Sequence, residues 1–118
     1  FEEVWKGLCS WEKASVVFNH FGHLLQFKCR ISEGMPSRGY YHIAGESGFT
    51  AHIKSDEISH ICYLSMPFMG NEVHSIQFFN NEGKAVFSIF PGKNGKEVIP
   101  SVLESFMSMR RDAVLKAA

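Results

Sequence analysis

Cysteine is scarce in this sequence, and Cys9, Cys29 and Cys62 show no CxxC spacing. All three stand within apolar stretches, so we expect buried, free thiols in a reducing compartment. Neither a disulfide framework nor a histidine at the spacing of a structural zinc site accompanies them. A disulfide-stabilised domain and a zinc module are therefore not supported.

Net charge is lacking too. Twelve basic residues balance twelve acidic ones, and no Lys/Arg-rich run occurs, which removes the electrostatic footprint of a nucleic-acid binder. No apolar run approaches about eighteen residues and no secretory leader is visible, although the chain begins at Phe1. We expect no nucleic-acid partner, no membrane insertion and a cytoplasmic location.

Catalytic motifs are missing as well. The sequence has no GxSxG, no HExxH, no glycine-rich phosphate loop and no Walker lysine. GKNGK has single glycines beside lysines in a turn, which does not make a phosphate-binding loop. Triad hydrolysis and phosphoryl transfer therefore have no support.

What is present is a chain of the size of one domain, residues 1–118, which can remove roughly two-thirds of its unfolded surface from water. Phenylalanine is abundant, with eleven residues, more than a core of this size needs. A planar apolar ligand would use some of these rings.

Strand patterns dominate the middle of the chain, residues 39–80. Around His52 the sequence alternates, which predicts one packed and one outward face. The packed face is Phe49, Ala51 and Ile53, and the outward face is Thr50, His52 and Lys54. Residues 58–64 are apolar on both faces, which predicts a central strand, and residues 72–79 alternate again.

The flanking segments complete an α+β pattern. Residues 2–11 have helical spacing, and a hairpin follows whose Phe21-Gly22 turn has His20 and His23 near its tip. Glycine and proline predict a loop over residues 33–38. Further predicted elements are a hairpin that joins QFFN to KAVFSIF, a closing PGKNG turn and a helix over roughly 99–116. We therefore predict about seven antiparallel strands in a sheet between a short N-terminal and a long C-terminal helix.

Six histidines remain as candidate functional residues. A strand histidine usually makes one hydrogen bond and no more, but His52 in GFTAH stands among small residues, near two glycines and a tyrosine pair. Neutral imidazole is a common ligand of heme iron, and aromatic walls suit a porphyrin. The composition permits heme binding without selecting it.

A resemblance then narrows the function. The segments FEEVWKGLCSW, RGYYHI, GFTAHIK, SHICYLSMPFMG and SIQFFNNEGKAVFSIF stand in this order along the chain. With them the chain resembles the cytosolic heme-utilisation carriers of the HutX/ChuX/HuvX type. The resemblance implies a single α+β domain that pairs as a homodimer, similar in plan to the tandem halves of HemS/ChuS-type proteins. It also implies reversible binding of heme and its delivery to a heme-degrading or heme-storing protein.

The resemblance assigns one heme-associated histidine to His52. The other position falls on Asn19, with His20 one residue later. A one-residue shift turns a side chain to the opposite face, so His20 substitutes only if a bulge or the turn re-aims it. Five-coordinate iron or a water ligand is the alternative, and Ala51 replaces the family's usual glycine.

Other residues have less direct roles. Arg38 and Lys54 are candidates to pair with heme propionates, with a solvated surface role as the alternative, and Tyr41 is a candidate heme contact with sheet packing as its alternative. The remaining histidines are assigned to structure: His42, His60 and His74.

Two other functions stay open at this point. A heme-degrading enzyme needs an open position for oxygen opposite a proximal histidine, which Asn19 would suit. A regulatory or structural dimer without heme binding is the second alternative. Reductant-dependent conversion of heme separates the first from a carrier, and weak, nonspecific hemin uptake identifies the second.

Overall fold

The computed structural model describes residues 1–45 and 49–117 and confirms an α+β fold with a helix at each end of the chain. The helices are α1 (Glu2–Leu8) and α2 (Pro100–Ala117). The strands are β1 (Ala14–His20), β2 (His23–Cys29), β3 (Met35–Ser37), β4 (Tyr40–Ala44), β5 (Thr50–Ile53), β6 (Ile58–Phe68), β7 (Asn71–Asn80), β8 (Ala85–Pro91), β9 (Lys93–Asn94) and β10 (Glu97–Val98).

These strands form three antiparallel sheets in the described part of the chain, not one. The large sheet has the order β2-β1-β8-β7-β6, a small sheet has the order β3-β4-β5, and β9 pairs with β10. The β7–β8 hairpin is confirmed, and Asn80 organises its turn by accepting the backbone N–H groups of Glu82 and Lys84 with its side-chain oxygen.

One core lies between the large sheet, the small sheet and the two helices. Alternation along the strands turns Val16, Ile76, Phe78 and Ile89 to one face of the large sheet, where all four are buried. Trp5 of α1 joins this face to the small sheet, since its ring contacts Phe87 on one side and Tyr41 on the other. The small sheet is therefore held by the core through its inner face. The buried hydrophobic residues are Trp5, Leu8, Trp11, Ala14, Val16, Ile31, Tyr41, Ile43, Ile76, Phe78, Phe87, Ile89, Ile99, Val102 and Phe106.

The prediction that β6 is central was wrong, because β6 is the edge strand of the large sheet. Its inward residues Ile61 and Tyr63 pack against the core. Its outward residues form a row of exposed side chains: Cys62, Leu64, Met66 and Phe68. We call these four residues the outer row. A strand with one buried and one exposed apolar face has the same pattern as a central strand.

Three further predictions need correction. The predicted loop over residues 33–38 contains the edge strand β3, where Pro36 is tolerated because an edge position needs no N–H donor. Helix α1 ends at Leu8, before Trp11, because the chain turns there through a hydrogen bond from the N–H of Cys9 to the carbonyl of Lys6. Cys62 is exposed instead of buried.

Candidate functional site

His52 lies on β5, and its strand behaves as the alternation predicts. Phe49, Ala51 and Ile53 pack against the core, while Thr50 and His52 are exposed. The β4–β5 pairing continues this division, since buried Tyr41 and Ile43 stand opposite Ile53 and Ala51. The small sheet thus has an inner face in the core and an outer face that carries His52.

His42 is the cross-strand partner of His52. The Nδ1 atoms of the two rings lie 2.8 Å apart, and the ring centroids are 5.0 Å apart. Tyr40, two residues before His42 on the same face, stacks against the His42 ring at 6.1 Å between centroids. The outer face of the small sheet is therefore an aromatic row of Tyr40, His42 and His52. The sequence could have indicated this pair only through the register of the β4–β5 hairpin, which places His42 opposite His52.

Tyr41 does not share a face with His52. Its ring is fully buried, and its hydroxyl accepts a hydrogen bond of 2.9 Å from the backbone N–H of Gly34. A ligand on the outer face would meet Tyr40 and not Tyr41. Of the two glycines near His52 in the sequence, Gly45 donates its N–H to the carbonyl of Phe49, and Gly48 lies outside the described residues.

The two candidate cations border the outer face. Lys54 follows His52 by two residues, and its ammonium lies 3.1 Å from the carboxylate of Glu57. That hydrogen bond and charge raise the pKa of Lys54. Arg38 is exposed and precedes Gly39 in the β3–β4 turn, where both residues have positive φ. A two-residue turn with positive φ at both positions matches the right-handed twist of the two strands that it joins.

The first hairpin presents Asn19 and His20 in an unbroken register with β2. No bulge interrupts β1, so the two side chains point to opposite faces. His20 shares the face of Val16 and Phe18, and its ring contacts Phe21 at 4.3 Å between centroids. His20 and His23 lie at the hairpin tip, as expected. They pair across the turn, and both are exposed. The hairpin therefore does not turn His20 to the face of Asn19.

His74 is a buried residue of the core edge, 7% exposed. Its Nδ1 lies 2.8 Å from Ser65 Oγ, which also accepts a hydrogen bond of 2.8 Å from Arg110 of α2. The Nε2 atom lies 3.5 Å from the carboxylate of Glu72. This chain of polar contacts connects α2 to β6 and β7, which is a structural role.

His60 was assigned to structure, and strict alternation along residues 58–64 would put it on one face with Ile58 and Cys62. A register shift between Ile58 and His60 separates their faces, and His60 is exposed with its Nδ1 3.0 Å from Ser59 Oγ. A bulge of this kind cannot be seen in an alternation pattern.

The described residues contain no group of three or more His, Cys, Asp or Glu side chains able to hold a bare metal ion. Heme makes a smaller demand, because the porphyrin supplies four nitrogen ligands and the protein adds one or two axial ones. An exposed imidazole beside an aromatic ring and a lysine fits this demand. His52 has this arrangement, with the His42 ring beside it, the Tyr40 ring stacked on His42, and Lys54 two residues further along the chain.

Solved structures show which class of proteins has this fold. The heme-binding protein ChuX superposes with a TM-score of 0.89 at 27% identity, over 96% of this chain and 72% of that chain. A protein from Agrobacterium tumefaciens gives a TM-score of 0.90 at 27% identity, over 95% of this chain and 66% of that one. The heme-degrading enzyme ChuS of Escherichia coli O157:H7 shares the fold alone, with a TM-score of 0.75 at 16% identity over 90% of this chain and 32% of ChuS.

The family follows from the sequence. Residues 1–109 match the family described as Haem utilisation ChuX/HutX, and the chain belongs to that family. It is 31% identical over 112 residues to the intracellular heme transport protein HutX of Vibrio cholerae, a match that covers 93% of this chain and 58% of HutX. The chain thus spans less than two-thirds of that relative. In its described part, no helix combines the length and the apolar character needed to cross a membrane.

Proposed function

We propose that this chain is a cytoplasmic heme carrier that binds heme reversibly through His52, passes it to a receiving protein and turns over no substrate. The observation that carries the proposal is the outward imidazole of His52, whose Nδ1 is engaged by His42 so that Nε2 points away from the pair. Membership of the ChuX/HutX family and the name of the HutX relative support heme as the ligand.

The outer face of the small sheet supplies the means to hold heme. When bound, heme supplies an iron that accepts the lone pair of a neutral imidazole. Tyr40 offers an aromatic surface for the porphyrin, and the cations of Lys54 and Arg38 suit its propionates. An exposed ligand favours transfer, because a receiving protein can approach heme without unfolding the carrier.

The resemblance assigns the second heme-associated position to the first hairpin. The unbroken register of β1 turns Asn19 and His20 to different faces, so only one of them can face a given ligand. His20 does not meet the condition for replacing Asn19, because no bulge or turn re-aims its side chain. An Asn19 that faces heme would contribute an amide hydrogen bond, with five-coordinate iron or a water ligand as the alternative to a second histidine.

Titration with hemin tests the proposal. We expect a saturating Soret change with a stoichiometric break in the native protein, and its loss or a marked change in His52→Ala. His60→Ala removes another exposed strand histidine and should leave the titration unchanged. An unchanged Soret spectrum in His52→Ala would remove His52 from the mechanism, and weak, non-saturating uptake by the native protein would contradict heme binding as the function.

Exposure to reductant separates a carrier from a heme-degrading enzyme. The heme complex is incubated in air with ascorbate, with and without catalase. A carrier should keep its Soret band when catalase is present. Conversion to a bilin with release of iron, insensitive to catalase, would establish degradation by the protein.

We also propose a homodimer. In the outer row, Leu64, Met66 and Phe68 are 40%, 48% and 61% exposed, and contiguous apolar side chains on an edge strand mark an interaction surface. A second copy can cover this row by a two-fold contact that uses the same surface on both chains.

Sedimentation tests this assembly. The chain should sediment as a dimer of its 13.4 kDa protomer at micromolar concentration, and Met66→Lys should shift the equilibrium to monomer. Met35→Lys is the matched control, because Met35 is 72% exposed on β3, outside the outer row. A stable monomer of the native chain would contradict the dimer.

A further inference from the structure

The contact between His42 and His52 constrains the hydrogens of both rings. Their Nδ1 atoms lie 2.8 Å apart, which is hydrogen-bond distance for two nitrogens. Two lone pairs would repel at this distance and two N–H groups would collide, so one hydrogen lies between the neutral rings. Each neutral imidazole carries its single N–H on one nitrogen and a lone pair on the other.

Two arrangements satisfy this constraint. If Nδ1 of His52 donates, the Nε2 of His52 has a lone pair and the Nε2 of His42 has the hydrogen. If Nδ1 of His42 donates, the assignments are reversed. In either case only one of the two Nε2 atoms can act as a ligand, so the neutral pair offers one axial ligand and not two.

We infer that His42 is a positioning residue for His52: it accepts the Nδ1 hydrogen of His52 and thereby keeps the Nε2 lone pair of His52 directed outward as the iron ligand. This inference rests on the proposed heme-binding function. It assigns to His42 a role in ligand chemistry where the sequence indicated a structural one.

The surroundings of the pair suit such a role. His42 is partly buried, and the ring of Tyr40 stacks on it at an interplanar angle of 24°, whereas His52 is the more exposed ring. The residues on either side of His42, Tyr41 and Ile43, are buried in the core, which fixes the backbone from which His42 reaches across. The more firmly held ring is therefore the acceptor and the more exposed one the ligand.

Outer hydrogen bonds of this kind change how a histidine binds metal. A partner on the far nitrogen fixes the tautomer and orientation of the ring and raises its basicity, and loss of such a partner typically weakens metal binding about 10–100-fold. His42→Leu should therefore weaken hemin binding about 10-fold without removing the ligand. His42→Asn keeps a side-chain oxygen as acceptor and should restore most of the affinity.

The first measurement needs no heme. Long-range ¹H–¹⁵N NMR reports which ring nitrogen of each histidine carries hydrogen. We expect His52 to be protonated at Nδ1 in the native protein and in His42→Asn, and to become a tautomer mixture in His42→Leu. His60→Leu is the matched control, because His60 is also an exposed strand histidine with a polar Nδ1 contact. An Nε2–H tautomer for His52 in the native protein would overturn the inference.

The second measurement uses the hemin complex. Resonance Raman of the ferrous form should show a lower iron–histidine stretching frequency in His42→Leu, recovered in His42→Asn, in parallel with the affinities. If His52→Ala abolishes binding while His42→Leu matches the native protein in both affinity and frequency, the inference fails and heme binding stands. If the native protein does not bind hemin, the proposed function fails and the role of His42 as a positioning residue fails with it, whatever the apo tautomer.

Discussion

Two hairpins of this molecule each carry a cross-strand histidine pair, and the two pairs differ in what holds them. His42 and His52 face each other in the middle of β4 and β5, with their Nδ1 atoms in contact. His20 and His23 face each other at the end of β1 and β2, where the ring of His20 contacts Phe21 of the turn. The His42–His52 pair lies on a sheet whose inner face packs in the core, and the His20–His23 pair lies at an exposed hairpin tip.

The difference concerns preorganisation. A ligand that is held in place before binding loses less rotational freedom when it binds. The His42–His52 pair has this advantage from the buried residues behind it, while His20 and His23 depend on a two-residue turn. We therefore expect the fixed ligand of the proposed heme site to be on the small sheet, and we expect any ligand from the first hairpin to adjust.

The largest expected effect comes from removing the support behind the His42–His52 pair. Tyr41 is fully buried and its ring contacts Trp5 and Phe1. Its hydroxyl accepts a hydrogen bond from the backbone N–H of Gly34. Tyr41→Ala should lower the free energy of unfolding by about 3–5 kcal/mol, as large aromatic truncations in cores do. Urea unfolding provides the measurement. His23→Ala, at the exposed tip, should change it by less than about 0.5 kcal/mol, and equal effects of the two variants would contradict the comparison.

A smaller effect should follow from disturbing the other hairpin. Gly22 has φ +81°, and an added Cβ would meet no atom within 4 Å, so the strain of Gly22→Ala comes from the backbone alone. We expect a loss of about 1 kcal/mol in the free energy of unfolding and changed NMR signals of His20 and His23.

Gly83 supplies the control for this experiment. It has φ +78° and equally open surroundings in the β7–β8 turn. Gly83→Ala should have a similar cost while the signals of His20 and His23 stay unchanged. A shift of the His42 and His52 signals in Gly22→Ala would show that the two pairs are not independent.

The smallest expected effect concerns the charge next to His52. Glu57 raises the pKa of Lys54 above its ordinary value of 10.5. The folded state therefore holds this proton more tightly than the unfolded chain, so the pair stabilises the fold below that pH and ceases to do so as the pH rises through the raised pKa. The free energy of unfolding is measured at pH 8 and at pH 11. The part of its decrease between these pH values that comes from the Lys54–Glu57 pair should be absent in Lys54→Met and in Glu57→Gln. A larger combined effect in the double variant would contradict a simple pair.

Sequence patterns predicted the outward position of His52 and the turn of the first hairpin, because alternation and turn chemistry are local properties. They did not predict the contact of His42 with His52, which depends on a register set across the hairpin. They named Tyr41 as the candidate heme contact, which was wrong, because Tyr41 is buried against Trp5 of α1 and Tyr40 is the exposed tyrosine of β4.

The error over β6 has a different physical origin. Leu64 and Met66 on one face and Ile61 and Tyr63 on the other are all apolar, and only the three-dimensional arrangement shows that one face lacks cover. A strand that is apolar on both faces does not reveal whether its second face is covered by the same chain or by a second copy of the protein. The register shift at Ser59 was likewise outside the reach of a period-two pattern.

The most direct test of the central claim is a crystal structure of the protein with hemin bound. We predict iron bonded to the Nε2 atom of His52, with the Nδ1 of His52 still in contact with the Nδ1 of His42. Hemin bound through His20 or His23, with His52 free of the iron, would contradict the account.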